Sequence, residues 1–256
     1  MEMENLNGYN KSTNIDQHNT TIALIGKWIK EIIDAAMIDF QMLSSLLKDY
    51  DKLFDARTAP EAAERISQSV QELQCMDIFI QKLEHLSRLN GILCREEFPV
   101  PKTVNDNNWD LYSSVVIRLN YFQSIAATYD FTSLVSNLKK HLNEFHCHIM
   151  KVPSISFSDA DYFRHNDFIV TKLSLLTSIL SELSKKCLHA GVEVDAAMRE
   201  RISKIETIYS IESERYVLLW FIGNNQGTEA ELLAQYSNRF YDDTNQPVDN
   251  NNIELF

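Results

Sequence analysis

The sequence predicts an all-α protein, an elongated helical bundle of long antiparallel hairpins. Three observations carry this. Only six glycines and five prolines occur in 256 residues, so turns are few and elements long. Apolar residues recur at a 3-4 spacing through most of the chain. The breaks between these periodic segments carry helix-capping and helix-breaking residues. Hydrophobic residues make up 45% of the chain, enough to build a core and to exclude global disorder.

The elements follow in order. The polar, Asn-rich start, residues 1–15, is expected to be disordered, and it has no apolar run that would act as a signal peptide. Ile22, Ile25, Ile29, Ile32 and Ala36, continued by Phe40, Leu43 and Leu47, place a first helix at about 16–54. Thr58-Ala-Pro-Glu61 reads as a capping box with proline in the first turn, opening a second helix that runs to about Leu93. The short link between them predicts an antiparallel hairpin over 16–93. Phe98-Pro-Val-Pro101 ends it, because neither proline continues a helix.

A third helix is predicted from about Trp109 to Met150, with Val115, Leu119, Phe122, Ile125 and Tyr129 on its apolar face. Ser158-Asp-Ala-Asp161 caps a fourth, to about His189, and a fifth covers about 194–222. The segment 94–222 thus supplies further bundle helices, with the third linking two hairpins. Thr228 to Phe240 forms a short amphipathic helix. The remainder of 223–256 is a flexible acidic tail, with Asp242 to Asn252 disordered, ending in the apolar Ile253-Glu-Leu-Phe256. Glu64-Arg-Ile-Ser67 and Glu200-Arg-Ile-Ser203 echo one another, too briefly to establish a duplication.

A net charge of −12 argues against nucleic-acid binding, which needs clustered Lys and Arg. No stretch of some 18 apolar residues predicts a membrane span. Four scattered cysteines without CxxC spacing suit a reduced, cytoplasmic protein. There is no Gly-rich phosphate loop, GxSxG or HExxH. His141 and His148 share a helix face, but His146 and Cys147 do not complete a zinc set. Tyr209 to Arg215 places polar residues within the predicted fifth helix, where Arg215 is expected to pair with Glu212 or Glu214 at the surface.

The most informative local feature lies in the second helix. Ile66, Val70, Leu73 and Ile80 form a stripe that Asp77 and Gln81 continue. At ~100° per residue, Asp77 falls within about 20° of the Ile66 direction and Gln81 within about 60°. The pair is either a hydrogen-bonded i,i+4 couple that fixes the helix or a working site. DxxxQ alone decides nothing, since Asp242 and Gln246 repeat it in the tail.

The wider string Leu73-Gln-Cys-Met-Asp77-Ile-Phe-Ile-Gln81-Lys-Leu-Glu84-His85 resembles the motif helix of CheZ-type chemotaxis phosphatases. The resemblance covers about fifteen residues. It implies hydrolysis of the aspartyl phosphate on a phosphorylated, CheY-like response regulator. Gln81 takes the position of the amide that orients the attacking water, and Asp77 that of the carboxylate that pairs with the partner's lysine. Gln74 and Glu84 would flank the contact, and Ile253, Leu255 and Phe256 would dock the tail on the regulator. No cofactor of the chain's own is implied, because the Mg²⁺ belongs to the partner receiver domain. Members are usually dimers of one long hairpin, which leaves a homodimer open, although this chain carries about three further helices.

Two other readings stand beside it. His85 with Arg88 has the outline of a histidine phosphotransfer site without its Lys-Gly continuation; otherwise His85 is a surface residue paired with Glu84 or Gln81. Alternatively the protein is a non-catalytic helical adaptor or sensor, with Asp77 and Gln81 structural.

Overall fold

The computed structural model describes residues 5–53, 60–93, 106–148, 163–187, 196–223 and 227–241. All regular elements among them are α-helices: α1 (Asn5–Leu53), α2 (Pro60–Leu93), α3 (Asp106–His148), α4 (Asn166–Cys187), α5 (Ala196–Glu206), α6 (Glu212–Gly223) and α7 (Glu229–Phe240). The chain is therefore an all-α helical bundle. No described helix is long and apolar enough to cross a membrane.

The first four helices close into a ring in which α1 packs on α2, α2 on α3, α3 on α4 and α4 back on α1. Every neighbour runs antiparallel. Asn90 of α2 reaches the Ile22 carbonyl of α1 at 3.0 Å, while Tyr50 at the other end of α1 packs with Ala62 and Ile66. Arg65 pairs with Glu144, and Lys82 with Asp130. Ser124 of α3 meets Thr177 of α4, and Lys172 of α4 meets Glu31 of α1. This is up-down-up-down packing around one apolar core. Ile29, Ile32, Leu43, Leu83, Leu119, Leu138, Leu173 and Leu176 are fully enclosed there. Burial of that size, at roughly 1.5–3 kcal/mol per large side chain, dominates the folding of the ring.

Differences from the sequence reading have local causes. The helix predicted from about Asp16 starts at Asn5, within the polar segment expected to be disordered. The third helix is a member of the ring and not a linker between two hairpins. The fifth predicted helix is two, because the chain leaves helical geometry at Thr207–Ile211. Tyr209 sits at that break with its ring fully buried, and the Arg215 guanidinium folds back to its carbonyl at 3.0 Å. A continuous helix would carry that ring away from the core. Asp39 of α1 accepts the His165 backbone N–H at 3.2 Å and its ring Nδ1 at 2.8 Å, serving as a cap from another helix for the start of α4. The capping residues read from the sequence at Thr58 and Ser158–Asp161 lie outside the described residues.

Helices α6 and α7 pack on α3 beyond the ring. The start of α7 is as the sequence predicts. Thr228 accepts the Glu231 backbone N–H, and Glu231 accepts the Thr228 N–H at 2.7 Å, a reciprocal capping box. Those bonds hold the Glu231 carboxyl below its ordinary range.

Candidate functional site

The buried arc of α2 is not centred where the stripe suggested. Met76, Phe79, Leu83 and Leu86 are its middle. They lie some 100–180° around the helix from Asp77. Ile66, Leu73 and Ile80 form one edge, and Val70, counted as apolar face by spacing, is 39% exposed. Asp77 is just past that edge and exposed; Gln81 is half-buried. Gln74, Glu84 and Arg88 are exposed on the same outward side.

Within this face the Gln81 Nε2 donates to Asp77 Oδ2 at 2.8 Å. A carboxylate accepts only, so the bond fixes which way the amide points. The nitrogen turns toward Asp77, leaving Oε1 available as an acceptor. Ile253, Leu255 and Phe256 lie outside the described residues, as do the side chains of His146, Cys147 and His148. Among the described residues no group of His, Cys, Asp or Glu is arranged to hold a metal.

His85 is not a surface residue. It is buried with Nδ1 2.8 Å from Glu214 of α6, so neither Glu84 nor Gln81 is its partner. A phosphotransfer histidine must meet another protein's active site, and His85 is enclosed. Glu214 is itself 3% exposed, and Gln123 of α3 donates to its backbone carbonyl at 3.0 Å. Arg215 therefore does not take Glu214 as its partner, and Glu212 pairs with Arg239 at 2.9 Å. The surface pairing predicted for Arg215 is replaced by its bond to the Tyr209 carbonyl.

One turn before His85 lies a cluster that periodicity did not reveal. Lys82 of α2 forms a buried ion pair with Asp130 of α3. Tyr236 of α7 donates to both Asp130 oxygens at 3.0 and 2.9 Å, and its oxygen receives Lys82 Nζ at 3.2 Å. Tyr241 adds a bond of 2.6 Å to Asp130. Burial first, and the Asp130 carboxylate next, push both tyrosine hydroxyls upward in pKa, so each stays a donor. Cys75 is at the rim. Burial, with Glu72 and Asp130 adding to it, raises its thiol to about 11. The sequence signal was a lysine inside the apolar arc of α2 and an aspartate between Tyr129 and Phe131. Only a correctly centred arc makes it visible.

A groove of about 540 Å³ between α3, α4 and α7 is lined by hydroxyls, including Tyr121, Thr128, Tyr129 and Thr177. Both tyrosines are tied to α7, Tyr121 to Glu229 at 2.8 Å and Tyr129 to Ser237 at 2.7 Å. Thr128 bonds back to the Ser124 carbonyl. The groove is on the other side of α3 from Asp130 and adds nothing to the Asp77–Gln81 face.

No protein-family model, no curated protein and no solved structure matches this chain.

Proposed function

We propose that the protein is a phosphatase acting on the aspartyl phosphate of a response-regulator receiver domain, with the outward face of α2 as its working surface. The observation behind this reading is the placement of Asp77 and Gln81. They stand together on a ring helix, on its solvent side, with the amide pinned by a 2.8 Å bond. The same pair enclosed between helices would be structural.

The chemistry asks little more than positioning. The transition state of phosphoryl transfer is loose, so an oriented water and stabilised charge supply most of the rate. Gln81 Oε1 would accept a hydrogen bond from the attacking water and aim its lone pair at phosphorus. An amide suits this place because a second carboxylate would repel the phosphoryl oxygens. Asp77 holds the amide in the free protein and would exchange that bond for the receiver's lysine on docking. Gln74 and Glu84 flank the pair and would set the register of the contact. Ile253, Leu255 and Phe256 are proposed to bind the regulator at a second place. The Mg²⁺ and the phosphoryl group are supplied by the receiver.

The test mixes the purified chain with receiver domains from the same genome, phosphorylated with acetyl phosphate, and follows phosphate release. Gln81→Ala is expected to lower the accelerated rate about a hundredfold with binding retained. Asp77→Asn should weaken binding as well. If Gln81→Ala binds and turns over as the parent does, the residue has no catalytic role and the adaptor reading replaces this one.

A further inference from the structure

The groove between α3, α4 and α7 is walled by hydroxyls whose protons are already in use. Tyr121 donates to the Glu229 carboxylate at 2.8 Å, and Thr128 to the Ser124 carbonyl at 2.7 Å. Thr132 gives its proton to the Thr128 and Tyr129 carbonyls, at 3.0 and 2.9 Å. Ser124 uses its own on the Tyr121 carbonyl, so Thr177 is the donor in the 3.1 Å bond between their hydroxyls. Carbonyls and carboxylates only accept, and a hydroxyl has one proton. The oxygens of Tyr121, Thr128, Thr132 and Thr177 therefore offer lone pairs, and no proton, to whatever enters. Burial first, and the bond to Glu229 next, raise the Tyr121 hydroxyl above its ordinary range, which keeps it a donor to that carboxylate.

The charged groups are at one end. Glu229 of α7 and Glu182 of α4 line the groove there, with Lys185 nearly one turn beyond Glu182. Two carboxylates against one ammonium leave that end net negative. Ile125 and Leu233 supply apolar surface further in. From Tyr121 to Thr132 the groove follows α3 for about 16 Å. Its volume of about 540 Å³ is that of a small-molecule site.

Such a wall discriminates by chemistry. A sugar's hydroxyls need donors as well as acceptors from the protein, and few donors are left here. An anion would meet lone pairs, with one lysine opposed by two carboxylates and no arginine among the described lining residues. An ammonium has three donors and no acceptor, which is the complement of this wall. The length of the groove and its apolar middle call for a methylene chain between two such groups.

We infer that the groove binds a linear aliphatic polyamine. One ammonium is held by Glu229 and Glu182, the methylenes cover Ile125 and Leu233, and a second ammonium donates to the oxygens of Thr128 and Thr132. The groove is on the other side of α3 from Asp130, so the inference does not rest on the phosphatase reading of the α2 face.

Isothermal titration calorimetry of the full chain with spermidine tests this. Saturable binding of one spermidine per chain is expected. Glu229→Gln and Glu182→Gln should each raise the dissociation constant about tenfold, the size of one charge-assisted hydrogen bond, with the helical circular dichroism spectrum unchanged. Thr128→Val keeps the shape, removes an acceptor and should weaken binding several-fold. Lys185→Gln should tighten it several-fold, because a like charge leaves the charged end. A chain of net charge −12 attracts polyamines diffusely, so Asp34→Asn, on the exposed side of α1, is the control and should leave the constant unchanged. The inference is overturned if spermidine does not saturate, or if Asp34→Asn weakens binding as much as Glu229→Gln. It is overturned equally if Lys185→Gln weakens binding, or if inorganic phosphate or maltose binds and spermidine does not.

Discussion

Two opposite seams of the same four-helix ring solve the problem of their outer surface differently. The α2–α3 seam carries Lys82, His85, Asp130 and Gln123, and α6 and α7 bring Glu214, Tyr236 and Tyr241 to meet them. The α1–α4 seam has Glu31 at its centre, paired with Lys172 and with Lys27, and apolar side chains on either side, open among the described residues. Charges are tolerated under cover where each finds its partner, and breaking one such pair leaves the other charge stranded. Exposed apolar side chains have the opposite economy: nothing is stranded without a cover, and apolar area is gained when one arrives.

This contrast is open to breaking from its strongest side first. Asp130→Ala removes the acceptor of Lys82, Tyr236 and Tyr241 together. Destabilisation of about 3–5 kcal/mol is expected in urea unfolding, with a fall in Tm of roughly 10 °C. A loss below 1 kcal/mol would show that the polar seam contributes little. The exposed seam should behave otherwise. Leu24→Lys and Ile38→Lys should each stay within about 0.5 kcal/mol of the parent. A large loss there would mean that the seam is already packed within one chain.

The finest probe is Cys75, at the rim of the covered seam. Its thiol, raised to about 11, is almost wholly protonated at pH 8. Since the thiolate is the nucleophile, alkylation by iodoacetamide should run about a hundredfold slower than for an ordinary exposed cysteine, and recover as pH approaches 11. Asp130→Ala should speed the reaction at pH 8, because one of the negative charges that raise the thiol is then gone. An unchanged rate would separate Cys75 from the cluster.

Much of the bundle was legible because its information is local. The 3-4 periodicity of Ile22 through Leu47 makes α1, and Thr228 with Glu231 opens α7. Two features were not. The break at Thr207–Ile211 contains no glycine or proline and is set by the burial of Tyr209. The stripe on α2 was read from Ile66, Leu73 and Ile80, which are its edge, and from Val70, which is exposed, so attention fell on Asp77 and Gln81 and missed Lys82. An edge and a centre have the same spacing, and only the neighbouring helices distinguish them.

The sequence by itself determined that the chain is helical, which residues make long amphipathic segments, and that a carboxylate and an amide sit one turn apart on α2. It could do so because helix periodicity, caps and breakers act within a few residues. The tertiary structure decided that Asp77 and Gln81 face outward, that His85 and Lys82 face inward, and that the α1–α4 seam is left open among the described residues. Those outcomes depend on which helices pack against which arc, and partners such as Glu214 and Tyr236 come from more than a hundred residues away. Exposure is a property of the assembled bundle, and no single helix carries it.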